Sequence, residues 1–495
     1  MIKVVKSFSV SALICRSIAF TAPLKSYAAE KVDNNRDYLI DKLHRVVTNL
    51  APSDSAKNGI ILRLADLLSD RARYNTMIMT NGPCKACVSP DVDRKKALQY
   101  YSEAYPKVAE ANKAKVLVQM GHLNQLLGNQ TAAVEIYTRI TNESSDQVAR
   151  SEAYLSIGEI YFKKSEWNKA QGYYDKSIET SNNESKGYAT YRLGWSHFNQ
   201  GHVAQAKEKL LTILKTPALL SKSGSNQAVT DVAFHEQVAK DYAIICGANF
   251  EESDLKNIFE FSPEKKKLEN LFAVSSELER TAKKKEALIA WSFLYQNQPQ
   301  PQERAVTKAH LANVNLQLGK NADALKDINE AYALIAEAKV KFPNEAEDAR
   351  RLIKSSIITW NQAEKKKPTP ELLEAYQGYL TNYGYEKEMS QWAVQIAADL
   401  KKWDVAWNIH KTATDKMSAN KDAKVAVSDL ENHLLLGIEL GESSKDAAIL
   451  ADAQNEYIAN SKTKSKYWEV FYQKTYTGYE KAENEEFLKG FAIIV

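Results

Sequence analysis

The stretch Asn81–Pro90, NGPCKACVSP, sets two of the chain's four cysteines in the spacing Cys-x-x-Cys. Three chemistries use that spacing. A redox site needs an activated thiolate, usually at a helix N-terminus in a thioredoxin-like unit, and no βαβ pattern surrounds this stretch. A zinc site needs two further ligands, and the chain has no second Cys-x-x-Cys. His197 and His202 have a permitted ligand spacing but lie well over a hundred residues away. A disulfide between Cys84 and Cys87 stiffens a loop, and Pro83 and Pro90 flank the pair as in a rigid turn. An oxidising compartment favours the disulfide. Pairing with another molecule, or with Cys246, is a further option. The run AIIC around Cys246 reads as a buried core thiol.

Other linear signatures of catalysis are missing. The sequence has no His-Glu-x-x-His, Gly-x-Ser-x-Gly, Gly-x-x-x-x-Gly-Lys or Gly-x-Gly-x-x-Gly. His197 and His202 are five residues apart, so they do not share a helix face and read as ordinary polar residues. The carboxylates are scattered as on solvated helix faces. The expectation is a protein that is not an enzyme and carries no cofactor or metal.

The first residues bear on the compartment. Lys3 and Lys6 precede the mostly apolar run Ser7–Ala22, and Ser26-Tyr27-Ala28 follows as a small-residue cleavage site. Residues 1–28 read as a secretory signal peptide, although Arg16 interrupts the apolar run. Without Lys3, Lys6, Arg16 and Lys25, the 66 basic residues fall to 62, equal to the 62 acidic ones. A formally neutral chain offers no polyanion-binding surface, which argues against nucleic acid as a partner. No other apolar run is long enough to cross a membrane.

The elements that must position any site are repeats. Three segments follow one register: Leu117–Ile140, Tyr154–Ile178 and Thr190–Leu214. Each has a glycine (Gly121, Gly158, Gly194), an alanine twelve residues on (Ala133, Ala170, Ala206), and a large residue four further (Tyr137, Tyr174, Leu210). The glycines step by 37 and 36 residues. Gly128 and Gly201 stand where the first helix of a pair should end. Each copy resembles the tetratricopeptide repeat: a small residue on helix A and an alanine on helix B let the helices approach, and a filler occupies the space between them.

A second set repeats the register with Ser275, Ala287 and Trp291, then with Ala312, Ala324 and Ile328. Val394 with Ala406 is a weaker copy, and beyond Lys411 no register is legible. Upstream, Ala65 and Ala97 look like one unit, but they stand 32 residues apart instead of twelve. About twenty residues are inserted there, and the cysteine pair falls inside an expected loop at about 75–92. Thr216–Thr230, Lys365–Pro370 and Ser418–Lys424 break the pattern as joints. The resulting organisation is a leader at 1–28, a first block at 29–215, a second at 231–345 and degenerate helical repeats at 346–495. The fold class is all-α, a solenoid of stacked antiparallel helix pairs.

In tetratricopeptide proteins the helices A line a groove that holds a partner segment. The resemblance assigns Lys115, Val118, His122 and Gln125 to that groove in the first copy. It assigns Glu152, Leu155, Glu159 and Phe162 in the second, and Tyr188, Tyr191, Trp195, Phe198 and Asn199 in the third. The aromatic third copy is the expected anchor for a protein partner, with Glu159 and His122 at its edge. The carboxylate clamp of chaperone-binding members needs Lys and Asn where this chain has Val118, His122 and Glu159, which argues against an acidic chaperone tail. A leader followed by such repeats is similar to periplasmic repeat proteins of envelope machines, including those of gliding and predatory bacteria. The expected function is a protein-interaction scaffold of a bacterial envelope, periplasmic or associated with the outer membrane. A glycan or peptidoglycan binder and a thiol-redox protein are the alternatives.

Overall fold

The computed structural model describes residues 34–181, 185–221, 230–338, 341–364, 367–384, 386–419, 427–461, 464–480 and 484–494. The leader expected at 1–28 lies outside the described residues, as do parts of the three expected joints. Among the described residues the chain forms α-helices with short 3-10 turns and one isolated bridge, Ser221 with Thr230, and no strand. It divides into two compact units, one ending at Val274 and the other beginning at Ser275.

The first unit holds α1 (Asn34–Asn49), α2 (Lys57–Asn81), α3 (Pro90–Ala104), α4 (Glu110–Leu126), α5 (Gln130–Glu143) and α6 (Gln147–Lys163). It continues with α7 (Trp167–Thr180), α8 (Lys186–Asn199), α9 (Val203–Lys215), α10 (Val232–Ala248) and α11 (Glu252–Phe261). The unit boundary falls within α12 (Lys267–Arg280). The second unit holds α13 (Lys284–Asn297), α14 (Pro301–Gln317), α15 (Asn321–Ala338), α16 (Pro343–Glu364) and α17 (Pro370–Tyr383). It ends with α18 (Lys387–Asp399), α19 (Trp403–Ala419), α20 (Val427–Ser444), α21 (Ala447–Asn460), α22 (Tyr467–Glu480) and α23 (Asn484–Ile494).

Each unit is a stack of helix pairs, and the small-residue register explains how a pair closes. A Cβ built on Gly158 would stand 2.6 Å from the ring of Tyr174, inside contact distance. Gly121 meets the ring of Tyr137 in the same way, and Gly194 meets Leu210. The partner alanines Ala133, Ala170 and Ala206 are wholly buried, as are all three fillers. Glycine on helix A therefore makes room for a filler from helix B, and burial of that filler, worth about 1.5–3 kcal/mol for a large side chain, holds the pair. Ala287 with Trp291 and Ala324 with Ile328 are buried in the same roles in the second unit.

The turn between the two helices has a fixed shape. Seven residues after the small residue the backbone goes left-handed, at Gly128 (φ 82°), Gly201 (φ 80°) and Gly319 (φ 73°). Three copies place Ser165 (φ 60°), Ala282 (φ 58°) and Lys401 (φ 58°) in the same position. Stacking across the pair outweighs the roughly 1–2 kcal/mol that a side chain pays there.

The inserted segment differs from its expectation as a loop at about 75–92. Helix α2 continues to Asn81, and α3 begins at Pro90, so only Gly82–Ser89 is loop. The run TMIMTN keeps its backbone hydrogen bonds by extending the helix, which costs less than exposing them in a loop. Ala65 and Ala97 still meet in the core, both at 0% exposure.

Candidate functional site

The groove positions lie on α4, α6 and α8, the first helices of three successive pairs. They are tied to one another by polar contacts. His122 brings its Nε2 to 3.5 Å from Glu152 on the next helix A, and its ring meets Tyr137 edge-on at 5.9 Å. Burial lowers the pKa of His122 and raises that of Glu152, so both are pushed toward their neutral forms. Glu159 accepts the Tyr174 hydroxyl at 2.7 Å from its own pair. The same carboxylate accepts Arg192 Nη2 at 3.0 Å from α8, with Arg192 Nε on its other oxygen. Burial works against the Arg192 charge, but Glu159 more than offsets it and raises its pKa. Glu159 is therefore a lock between copies, not a free residue at the edge of a groove.

Three other expected groove residues are packed away. Phe162 is 4% exposed. The Arg192 guanidinium lies over its ring at 3.9 Å, and Trp167 meets it edge-on at 4.8 Å. Tyr191 is also 4% exposed; its hydroxyl donates to Asp241 at 2.6 Å, and Phe234 packs against it at 5.7 Å. Asp241 and Phe234 both come from α10, some fifty residues along the chain, and bury Tyr191 under the next element. Val118 is buried as well.

What remains on the surface of α8 is an aromatic row, while Lys115 of α4 is exposed and Gln125 and Leu155 are half-buried. Tyr188, Trp195, Phe198 and Asn199 are all half-buried on α8. Phe234 stands 6.4 Å from Tyr188, and buried Tyr191 stands 6.5 Å from Trp195, which meets Phe198 at 5.5 Å with rings nearly perpendicular. T-shaped ring contacts such as Tyr191–Trp195 and Trp195–Phe198 add about 0.5–1.5 kcal/mol each beyond the area they bury. Asn199 Nδ2 is enclosed with no acceptor among the described residues. Rigid, half-buried rings beside an unused donor suit contact with a protein segment.

The other expected site residues do not join this row. The sulfurs of Cys84 and Cys87 lie 2.01 Å apart, the separation of a disulfide, with Cα atoms 5.5 Å apart. Asn75 on α2 donates to the Val88 carbonyl at 2.9 Å and ties the loop back to the helix. Beneath it Arg71 joins Asp93 of α3 and Asp37 of α1, each at 2.7 Å. Cys246 is buried at 0% exposure, and burial first of all holds its thiol well above the usual range. His197 and His202 have ring centroids 6.0 Å apart, and His197 Nδ1 lies 3.1 Å from Gln171. Among the described residues no group of three or more His, Cys, Asp or Glu is placed to hold a metal ion. Nor is any of their helices long and apolar enough to cross a membrane.

Sequence reasoning missed Asp241, Phe234 and Arg192. Of these only Arg192 had a local signal: it stands two residues before Gly194, on the side of α8 that faces the preceding copy. It also missed a recurring bond between the filler and helix A. Tyr101 donates to Asp66 at 2.5 Å, Tyr174 to Glu159, and Trp291 Nε1 to Glu279 at 2.9 Å.

A tetratricopeptide repeat family model matches residues 188–216, which is α8 with α9. No curated protein matches the sequence. The fold is similar to that of the C-terminal part of a TPR repeat-containing protein from Cytophaga hutchinsonii, at 10% identity and a TM-score of 0.29, over 56% of this chain and 98% of that one. It is also similar to the Naa15/Naa10 assembly bound to HypK-THB, at 12% identity and a TM-score of 0.31, over 92% of this chain and 68% of that one. The family match falls on the third copy, and α4–α5 and α6–α7 share its glycine, alanine and filler packing, so all three pairs are similar to tetratricopeptide repeats.

Proposed function

We propose that this protein is a non-catalytic scaffold of a bacterial cell envelope, and that it holds a segment of a protein partner against the aromatic row of α8. The observation that carries the reading is the run Tyr188, Phe234, Tyr191, Trp195 and Phe198, in ring contact along one face and half-buried at four of its five members. Rings already held by their neighbours lose little side-chain entropy on binding. Export is supported by the leader-like composition of residues 1–28, and an oxidising compartment suits the close cysteine pair Cys84 and Cys87. A role inside a multiprotein machine, such as a motility or secretion apparatus, extends the same reading.

The test is a cross-linking pull-down from an envelope fraction with the full chain. Trp195→Ala should weaken partner recovery by ~2 kcal/mol or more as an anchor, with little change in melting. Ala206→Leu should instead cost about 1–3 kcal/mol of stability by overpacking. Equal melting losses in the two variants make Trp195 a core residue and overturn the site. Retention on purified sacculi, lost in Trp195→Ala, would replace the protein partner by a glycan. Recovery of the chain in the cytosolic fraction alone would overturn the envelope assignment.

A further inference from the structure

A pair of imidazoles is closed inside the second unit. His410 of α19 and His433 of α20 stack ring on ring, with centroids 4.3 Å apart and planes 18° from parallel. They are 1% and 0% exposed. Trp407 stacks on His410 at 5.2 Å, and Gly437 on α20 leaves its Cβ position to the His410 ring. His433 Nε2 lies 3.2 Å from the His410 carbonyl, so Nε2 carries the proton and donates, leaving Nδ1 as the basic nitrogen. The Nδ1 atoms of both rings are buried without a hydrogen-bond partner. Glu456 of α21 brings Oε2 to 3.7 Å from His410 Nε2, and that oxygen is also buried and unpartnered.

The site suits a neutral His433. A proton on His433 Nδ1 has no acceptor and stands against the His410 ring, whose centroid is 4.3 Å away. Other charges on the packed helices are engaged elsewhere. Lys387 of α18 pairs with Asp429 of α20 at 2.6 Å, and Glu431 of α20 accepts the Tyr457, Ser461 and Ser465 hydroxyls. Glu388, Asp399, Asp404, Lys411, Asp415, Lys416, Glu439, Glu442 and Asp452 are exposed to solvent.

We propose that the His410–His433 stack is an acid-sensitive latch: while His433 is neutral it holds α19, α20 and α21 together, and protonation of His433 opens this part of the second unit. Burial, and then the neighbouring His410, hold the His433 imidazole down to about 4, against about 6.5 in an unfolded chain. A histidine lowered in this sense adds stability that is fully present above pH ~6.5 and lost as pH falls toward ~4. Between pH 7.5 and pH 5 the opening equilibrium should therefore rise roughly 30-fold.

Hydrogen exchange read by mass spectrometry on the full chain tests this, with exchange times corrected for pH. Peptides from α19–α21 should lose protection roughly 30-fold on going from pH 7.5 to pH 5, while peptides from α2 and α3 keep theirs. His433→Phe keeps a ring but removes the titration, and should reduce the loss to about threefold or less, a tenth of the wild-type effect. Should that variant fail to fold, exchange of histidine C2 hydrogens on the wild-type chain gives the answer directly, with a His433 midpoint well below 6. A His433 midpoint near 6.5, unchanged protection at pH 5, or undiminished acid sensitivity in folded His433→Phe each overturns the latch.

Discussion

The hydroxyl of Tyr174 donates to Glu159 at 2.7 Å, and the carboxylate that receives it also receives Arg192 from the next copy. One acidic side chain thus closes its own helix pair and joins that pair to its neighbour. The two bonds differ in what their loss leaves behind. Tyr174→Phe keeps the ring and the Glu159–Arg192 pair, and should cost about 1–2 kcal/mol. Arg192→Met strands a carboxylate that is only 19% exposed, and should cost about 3 kcal/mol. The double variant Glu159→Gln, Arg192→Met should recover part of that loss. Denaturant melts of the four proteins measure it, and equal costs for the two single changes would contradict the lock.

Glycines on the same pair of helices should respond in opposite directions. Gly158→Ala drives a methyl into Tyr174, which is buried on all sides, and should cost about 1–3 kcal/mol. Gly172 on α7 has nothing within 4 Å of an added Cβ, so Gly172→Ala should stabilise by about 0.5–1 kcal/mol through helix propensity. Ala282, held at φ 58°, should gain up to about 1 kcal/mol when changed to glycine. Thermal melting of the three variants gives the signs.

Cys84 and Cys87 enclose too short a loop to restrict the unfolded chain much. Their joint replacement by serine should leave the helical circular dichroism unchanged and lower stability by about 2 kcal/mol or less. Cys246 should resist iodoacetamide in the native protein and react once the chain is unfolded, because burial disfavours its thiolate. Peptide mapping after labelling separates the three positions. Rapid native labelling of Cys246 would show that its helix opens.

Acid should weaken the second unit through Glu279. Burial alone would raise its pKa, but hydrogen bonds from His310, Asn313 and Trp291, with the His310 charge, outweigh burial and lower it. A carboxyl lowered by folding adds stability that is present above the ordinary value near 4.5 and is lost as pH falls below it. Glu279→Gln should therefore flatten the stability profile below pH ~4.5 while lowering stability near neutrality. A variant profile parallel to wild type would place the acid response elsewhere. The His433 latch acts at higher pH, between ~6.5 and ~4, so the two responses are separable.

The sequence by itself determined the helix-pair register. Gly121, Ala133 and Tyr137, or Gly158, Ala170 and Tyr174, act within a single pair, and the geometry that requires them recurs at a spacing readable along the chain. Turns at Gly128 and Gly201 were legible because glycine favours the left-handed backbone, whereas Ser165, Ala282 and Lys401 occupy the same turn under the pull of packing and carry no such mark. The sequence also brought Cys84 and Cys87 within reach of each other, but not the extent of the loop: α2 keeps its backbone bonds as far as Asn81, and local composition alone did not separate that from a long loop. Only the tertiary structure decided which aromatic residues face outward. Tyr191 and Trp195 are both rings on α8, four residues apart, yet Tyr191 is buried by Asp241 and Phe234 of α10 while Trp195 stays half-open. Burial of that kind depends on which later helix is laid over a given turn, and that contact leaves no periodic trace near either residue.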